Sequence, residues 1–85
     1  MFKQTWSAEY KGHKISVNNN WFGPSELHVD DKLQDKATGI FFVRLVGKIK
    51  DKEITKELRV SLSSTFLSVE CDIFVDDEAI YSSKK

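Results

Sequence analysis

The chain has 85 residues, and its 13 Lys and Arg balance 13 Asp and Glu, so the formal charge is zero. With 40% apolar and 12% aromatic residues it is too rich in core-forming side chains for a solvated coil. Without a basic excess it cannot neutralise a run of phosphates, which excludes a general nucleic-acid binder. Residues 1–85 are read as a single domain, near the lower size limit of independent folding.

Period-two alternation dominates the chain, and helical periodicity is hard to find. A first strand over residues 2–11 places Phe2, Gln4, Trp6, Ala8 and Tyr10 on one face. Gly12 breaks it, and a second strand follows over residues 13–19 with Ile15 and Val17 inward. Asn18-Asn19-Asn20 and Gly23-Pro24-Ser25 are turn chemistry that brackets Trp21 and Phe22. Residues 26–29 make a third strand, Asp30-Asp31 a hairpin turn, and residues 32–35 a short return strand. Ala37-Thr38-Gly39 is the next turn.

Residues 40–49 carry apolar side chains on both faces, the mark of a central strand or of one with a bulge. Lys50-Asp51-Lys52 reads as a charged turn. Residues 54–62 alternate, with Ile54, Leu58, Val60 and Leu62 inward and Lys56 interrupting the row. Ser63-Ser64 turns the chain. Leu67, Val69, Cys71, Ile73 and Val75 then form the longest inward row, which leaves Phe66 and Phe74 outward. Asp76-Asp77 is a second aspartate hairpin, and Ala79-Ile80-Tyr81 returns. About eight short strands make an all-β domain, a compact antiparallel β-sandwich or flattened barrel. Leu27-His28-Val29-Asp30-Asp31-Lys32 echoes Ile73-Phe74-Val75-Asp76-Asp77-Glu78. Two hairpins of one design, one on each sheet, account for the echo without a repeat architecture.

The search for chemistry returns little. His13 and His28 have no ligand spacing with each other or with Cys71, so no metal site is assigned. The acidic turns lack the alternating ligands and internal glycine of a calcium loop. Cys71 falls on the inward row as a small buried hydrophobe. No serine lies in a Gly-x-Ser-x-Gly context, and the four glycines form no phosphate or dinucleotide loop. No catalytic residues and no cofactor are assigned, and the protein is expected not to be an enzyme. A single cysteine excludes an internal disulfide and favours a reducing, cytoplasmic setting. The densest apolar run, residues 39–43, is far too short for a membrane helix. Neither a membrane nor a nucleic acid is expected as a partner.

The aromatic residues give two candidate surfaces. Phe66 and Phe74, together with Phe41 or Val43, form a candidate partner surface if the sheet leaves them exposed. Trp21 and Phe22, beside Asn18, Asn19 and Asn20, form a candidate ligand loop in which the indole stacks on a sugar ring.

Several ordered pieces resemble the Fas apoptotic inhibitory molecule family. They are Trp6 with Ala8, Gly12-His13-Lys14-Ile15, Leu27-His28-Val29-Asp30-Asp31-Lys32, Arg44-Leu45-Val46-Gly47-Lys48 and Ile73-Phe74-Val75-Asp76-Asp77-Glu78. Together they span residues 6–81. The chain departs from the family pattern at Asp31 and Asp77, where glycine would sit, and in a short loop over residues 21–25. The resemblance implies a compact β-sandwich that acts by protein contact, with no catalytic residues to carry over. The expected function is therefore contact with an unknown protein partner. A small-ligand or carbohydrate-binding module built on the Trp21 loop is the alternative. Zero net charge offers little repulsion against self-association, so a homodimer through an edge strand is also open, and edge strands are an alternative to the Phe66/Phe74 face for a protein partner.

Overall fold

The computed structural model describes residues 3–20, 23–39, 42–64 and 69–82. These form eight strands: β1 (Lys3–Tyr10), β2 (His13–Asn20), β3 (Ser25–Val29), β4 (Lys32–Ala37), β5 (Phe42–Asp51), β6 (Ile54–Ser64), β7 (Val69–Val75) and β8 (Glu78–Ser82). They build two antiparallel four-stranded sheets, β1-β2-β3-β4 and β5-β6-β7-β8, each a simple meander. The domain is all-β, and the two separate hydrogen-bonded sheets make it a sandwich.

The alternating pattern decides which faces meet. Trp6, Tyr10, Ile15, Val17, Leu27 and Val29 are buried on the first sheet. Leu45, Leu58, Val60, Leu62, Cys71, Ile73 and Val75 are buried on the second. Burying each large aliphatic side chain contributes about 2 kcal/mol.

Two-residue turns join the hairpins, and their residues suit the backbone. Lys11 and Gly12 both take positive φ, as do Asp30 and Asp31. Paired positive φ at the two central turn residues matches the strand twist. At the other two hairpins only the first turn residue, Lys52 or Asp76, is left-handed.

The two sheets repeat each other in register. Ile15 pairs with Ala8 and Val29, as Leu58 pairs with Gly47 and Val75. Val17 pairs with Trp6 and Leu27, as Val60 pairs with Leu45 and Ile73. Asp30 N–H donates to the Lys14 carbonyl, and Lys14 N–H donates back to Asp30 Oδ1. Asp76 and Glu57 exchange the same two bonds. Register shifts fall at matching places, between Leu27 and His28 and between Ile73 and Phe74. The sequence echo at the two aspartate turns thus extends over both meanders.

Several expectations are corrected. β5 is an edge strand, not a central one, and the register shifts lie elsewhere. It runs on to Asp51, so the turn is Lys52-Glu53. Ile54 is 63% exposed, because this hairpin projects beyond the core. β4 continues to Ala37, and Ser63 and Ser64 extend β6 rather than turning the chain. Phe2 and Leu67 lie outside the described residues.

Side chains close the seam between the sheets. Val46 N–H donates to Asp35 Oδ2 at 2.9 Å, and Lys48 N–H donates to Gln34 Oε1 at 3.3 Å. These amides point away from β6, and β4 caps them. Gly47 permits the approach, since a Cβ there would lie 3.0 Å from Gln34 Cβ and 3.2 Å from Leu27 Cδ2. At one end of the sandwich Lys56 Nζ donates to Tyr10 Oη at 2.9 Å. His13 bridges both sheets, with Nδ1 2.7 Å from Asp30 Oδ2 and Nε2 2.6 Å from the Lys50 carbonyl oxygen. Carboxylate and carbonyl oxygens only accept, so both bonds require the imidazolium.

The bond to Asp30, and then the one to the Lys50 carbonyl, raise the His13 pKa above 6.5, and the Asp51 charge adds to this. The Lys14 N–H, followed by His13, lowers the Asp30 pKa. The imidazolium contribution to stability is complete below pH 6.5 and is lost as pH rises through the raised folded value. The Asp30 contribution is present above its ordinary pKa of 3.8 and is lost as pH falls through the lowered folded value. The difference in urea midpoint between wild type and His13→Ala should therefore be largest around pH 5–6 and shrink by about pH 9. A difference independent of pH would remove the imidazolium from the clasp. Asp35→Ala should cost about 1–2 kcal/mol and speed amide exchange at Val46 selectively, as read by NMR. Unchanged exchange there would show that the cap is dispensable.

Candidate functional site

On β5 the buried residues are Val43, Leu45, Gly47 and Ile49, so Phe42, Arg44, Val46, Lys48 and Lys50 project outward. Outward on β6 are Glu57, Arg59 and Ser61. Asp72 and Phe74 project outward from β7.

The ladder sets these residues in cross-strand rows. Arg44, Ser61 and Asp72 form one row, and Val46, Arg59 and Phe74 the next. Lys48 and Glu57 follow, with Asp76 beyond, its carboxylate bound by Glu57 N–H. Phe42 is 49% exposed and Val46 47%, while Phe74 is half-buried. A shallow depression of about 320 Å³ lies among Arg44, Val46, Arg59, Ser61 and Phe74.

The two arginines are held differently. Arg59 Nη2 donates to the Asp76 carbonyl at 2.8 Å and to Asp77 Oδ1 at 3.2 Å, and its Nε lies 3.6 Å from Glu57. Arg44 sits over the Phe42 ring, 5.1 Å from its centroid. Arg44, Lys48 and Lys50 make no ion pair among the described residues. The face thus has a basic side along β5, an acidic side along β7 and its turn, and apolar side chains in both. Exposed aromatic side chains beside arginine are enriched at protein–protein interfaces.

Phe74 lies on this face, as the alternation of its strand implies. Phe66 and Phe41 lie outside the described residues. Val43 is buried and takes no part. Sequence reasoning missed Phe42 and Val46. The signal was present in Arg44, Lys48 and Lys50, whose shared parity sets the outward phase of β5.

Of the candidate ligand loop, Trp21 and Phe22 lie outside the described residues. Asn18, Asn19 and Asn20 end β2 and alternate between its faces. Asn18 Oδ1 accepts from Thr5 Oγ1 at 2.9 Å, and Asn19 Oδ1 accepts from Ser25 Oγ at 3.0 Å. The Asn20 carbonyl accepts from Gly23 N–H. The Asn18 and Asn19 side chains are thus tied into the strand end.

His28 lies on the outer face of the first sheet, 3.7 Å from Glu26, while His13 belongs to the clasp. Among the described residues no three His, Cys, Asp or Glu side chains gather to hold a metal ion. No helix among them is long and apolar enough to cross a membrane. Burial, with a smaller contribution from Asp72, pushes the Cys71 thiol up to about 12.

Compared with protein-family models, curated proteins and solved structures, the chain matches none.

A thiol so buried is neither nucleophile nor thiolate ligand at neutral pH. Cys71 should react with an aromatic disulfide reagent only after denaturation. Stoichiometric reaction of the native protein within minutes would show that this strand opens.

Proposed function

We propose that this protein is a non-enzymatic cytoplasmic β-sandwich that acts by contact with another protein through the outer face of the β5–β8 sheet. The observation that carries the reading is the exposure of Phe42 and Val46 on either side of Arg44 along β5, with Val46 in one row with Arg59 and Phe74. Apolar groups kept at the surface of so small a domain cost solubility, and partner burial offsets that cost. The first sheet supplies the contrast. Its rows there are Ser7, Ser16 and His28, then Thr5, Asn18 and Glu26, with the exposed Leu33 ending the first row at the β4 edge. The inertness of Cys71 supports the non-enzymatic reading, and an unbridged cysteine supports a reducing compartment. The resemblance to the Fas apoptotic inhibitory molecule family, a fold that works by contact, agrees with both.

The test is photo-crosslinking in cells from a benzophenone amino acid placed at Ser61, in the depression, or at Ser16, on the opposite face. Discrete protein adducts should form from position 61, fall at least fivefold with Val46→Asp, and be scarce from position 16. Equal labelling from both positions, or none from 61, would overturn the reading.

A further inference from the structure

The second sheet's outer face is complementary to itself. At one height along the strands β5 carries Arg44, and Asp72 lies at the same height across β6. One row on, Val46 stands level with Phe74. At the next, Lys48 stands level with Glu57, and Asp76 is bound to Glu57 from the far side. A two-fold axis laid over β6 and parallel to it exchanges the two sides of the sheet and leaves height unchanged. Two copies related in this way bring Arg44 over Asp72, Val46 over Phe74 and Lys48 over Asp76, each contact occurring twice.

We propose that the partner of this face is a second copy of the chain, docked sheet to sheet about such an axis. The proposal rests on the protein-contact reading above and names its occupant. Charge selects the axis. A two-fold perpendicular to the strands would lay β5 on β5, setting Arg44, Lys48 and Lys50 against themselves. Like-charge juxtaposition of that kind excludes a mode of docking. Arg59 and Glu57 both lie beneath the parallel axis and meet their own copies, but the Arg59 guanidinium is turned to Asp76 and Asp77 and its Nε lies 3.6 Å from Glu57, so each charge there has an opposite partner in its own chain. Facing sheets cross at about 30°. That displaces a contact one row from the axis by about 3–4 Å, within the swing of Arg and Lys side chains. The middle row, Val46 against Phe74, moves least and forms the apolar centre. The depression beside Val46 offers a seat for the opposing Phe74 ring. Zero net charge leaves no long-range barrier to the encounter.

The test uses the purified full chain in sedimentation equilibrium. Wild type should show a reversible dimer of twice 9.8 kDa that weakens with salt. Arg44→Asp and Asp72→Arg each place two like-charge pairs in the dimer, and each should weaken it at least about tenfold. Mixed in equal amounts, the two variants restore both ion pairs, so a heterodimer of near wild-type affinity should form. Recovery on mixing also shows that both variants are folded. Val46→Lys is the independent check, and it should abolish the dimer by charging the central row. A monomeric wild type at millimolar concentration, a dimer indifferent to Val46→Lys, or folded variants that do not recover on mixing would overturn the proposal. Failure here with position-61 adducts still forming in cells would reject only the second copy and keep the contact face. Loss of those adducts would reject the face itself.

Discussion

An antiparallel sheet leaves a row of unpaired backbone groups along each edge, and a molecule of two small sheets carries four such rows. The fold depends on how the β4–β5 seam meets this constraint. Among the described residues no ladder joins β4 to β5. Instead, Asp35 and Gln34 reach across with side-chain oxygens and take the amides of Val46 and Lys48. The arrangement works only because residue 47 is glycine, which lets Gln34 and Leu27 press against the strand. The His13 bridge and the Lys56–Tyr10 bond hold one end of the sandwich with side chains in the same way. The sheets remain separate hydrogen-bonded units, yet the β5 edge is not open to strand addition at these amides. Exposed apolar side chains stand on both outer faces and beside the β5–β6 turn: Phe42 and Val46 on β5, Leu33 on β4, and Ile54 at the start of β6.

The register match between the meanders explains why one face differs so sharply from the other. Both halves keep the same inner frame, because inward residues must fill one shared core. The outer faces are free of that constraint. Where one half has Ser7, Ser16, His28 and Leu33, the other has Val46, Arg59, Phe74 and Ala79. Backbone and core cannot account for that contrast.

Much of this was legible in the sequence. The inward rows of β2 and β7, with Ile15 and Val17 or Cys71, Ile73 and Val75, have polar residues between most apolar ones, so their phase is unambiguous. The aspartate turns were legible because few residues tolerate positive φ. β5 was not. Its apolar residues on both faces imitate a strand buried on both sides, whereas here one set is core and the other is surface. The feature that obscured the strand's place in the sheet is thus the feature that marks the candidate site. The seam was hidden for another reason. Nothing local to Asp35 or Gln34 shows that their partners lie on another sheet.

In both sheets every ladder joins strands that are neighbours in the sequence. Sandwiches with crossover connections must close long loops before distant strands can pair, and they fold slowly as a result. Here each meander assembles by successive short hairpin closures, and only the docking of the halves spans the chain. The chain therefore combines the layered core of a sandwich with the local wiring of fast-folding proteins, and its unpaired edges stay exposed for less time during synthesis.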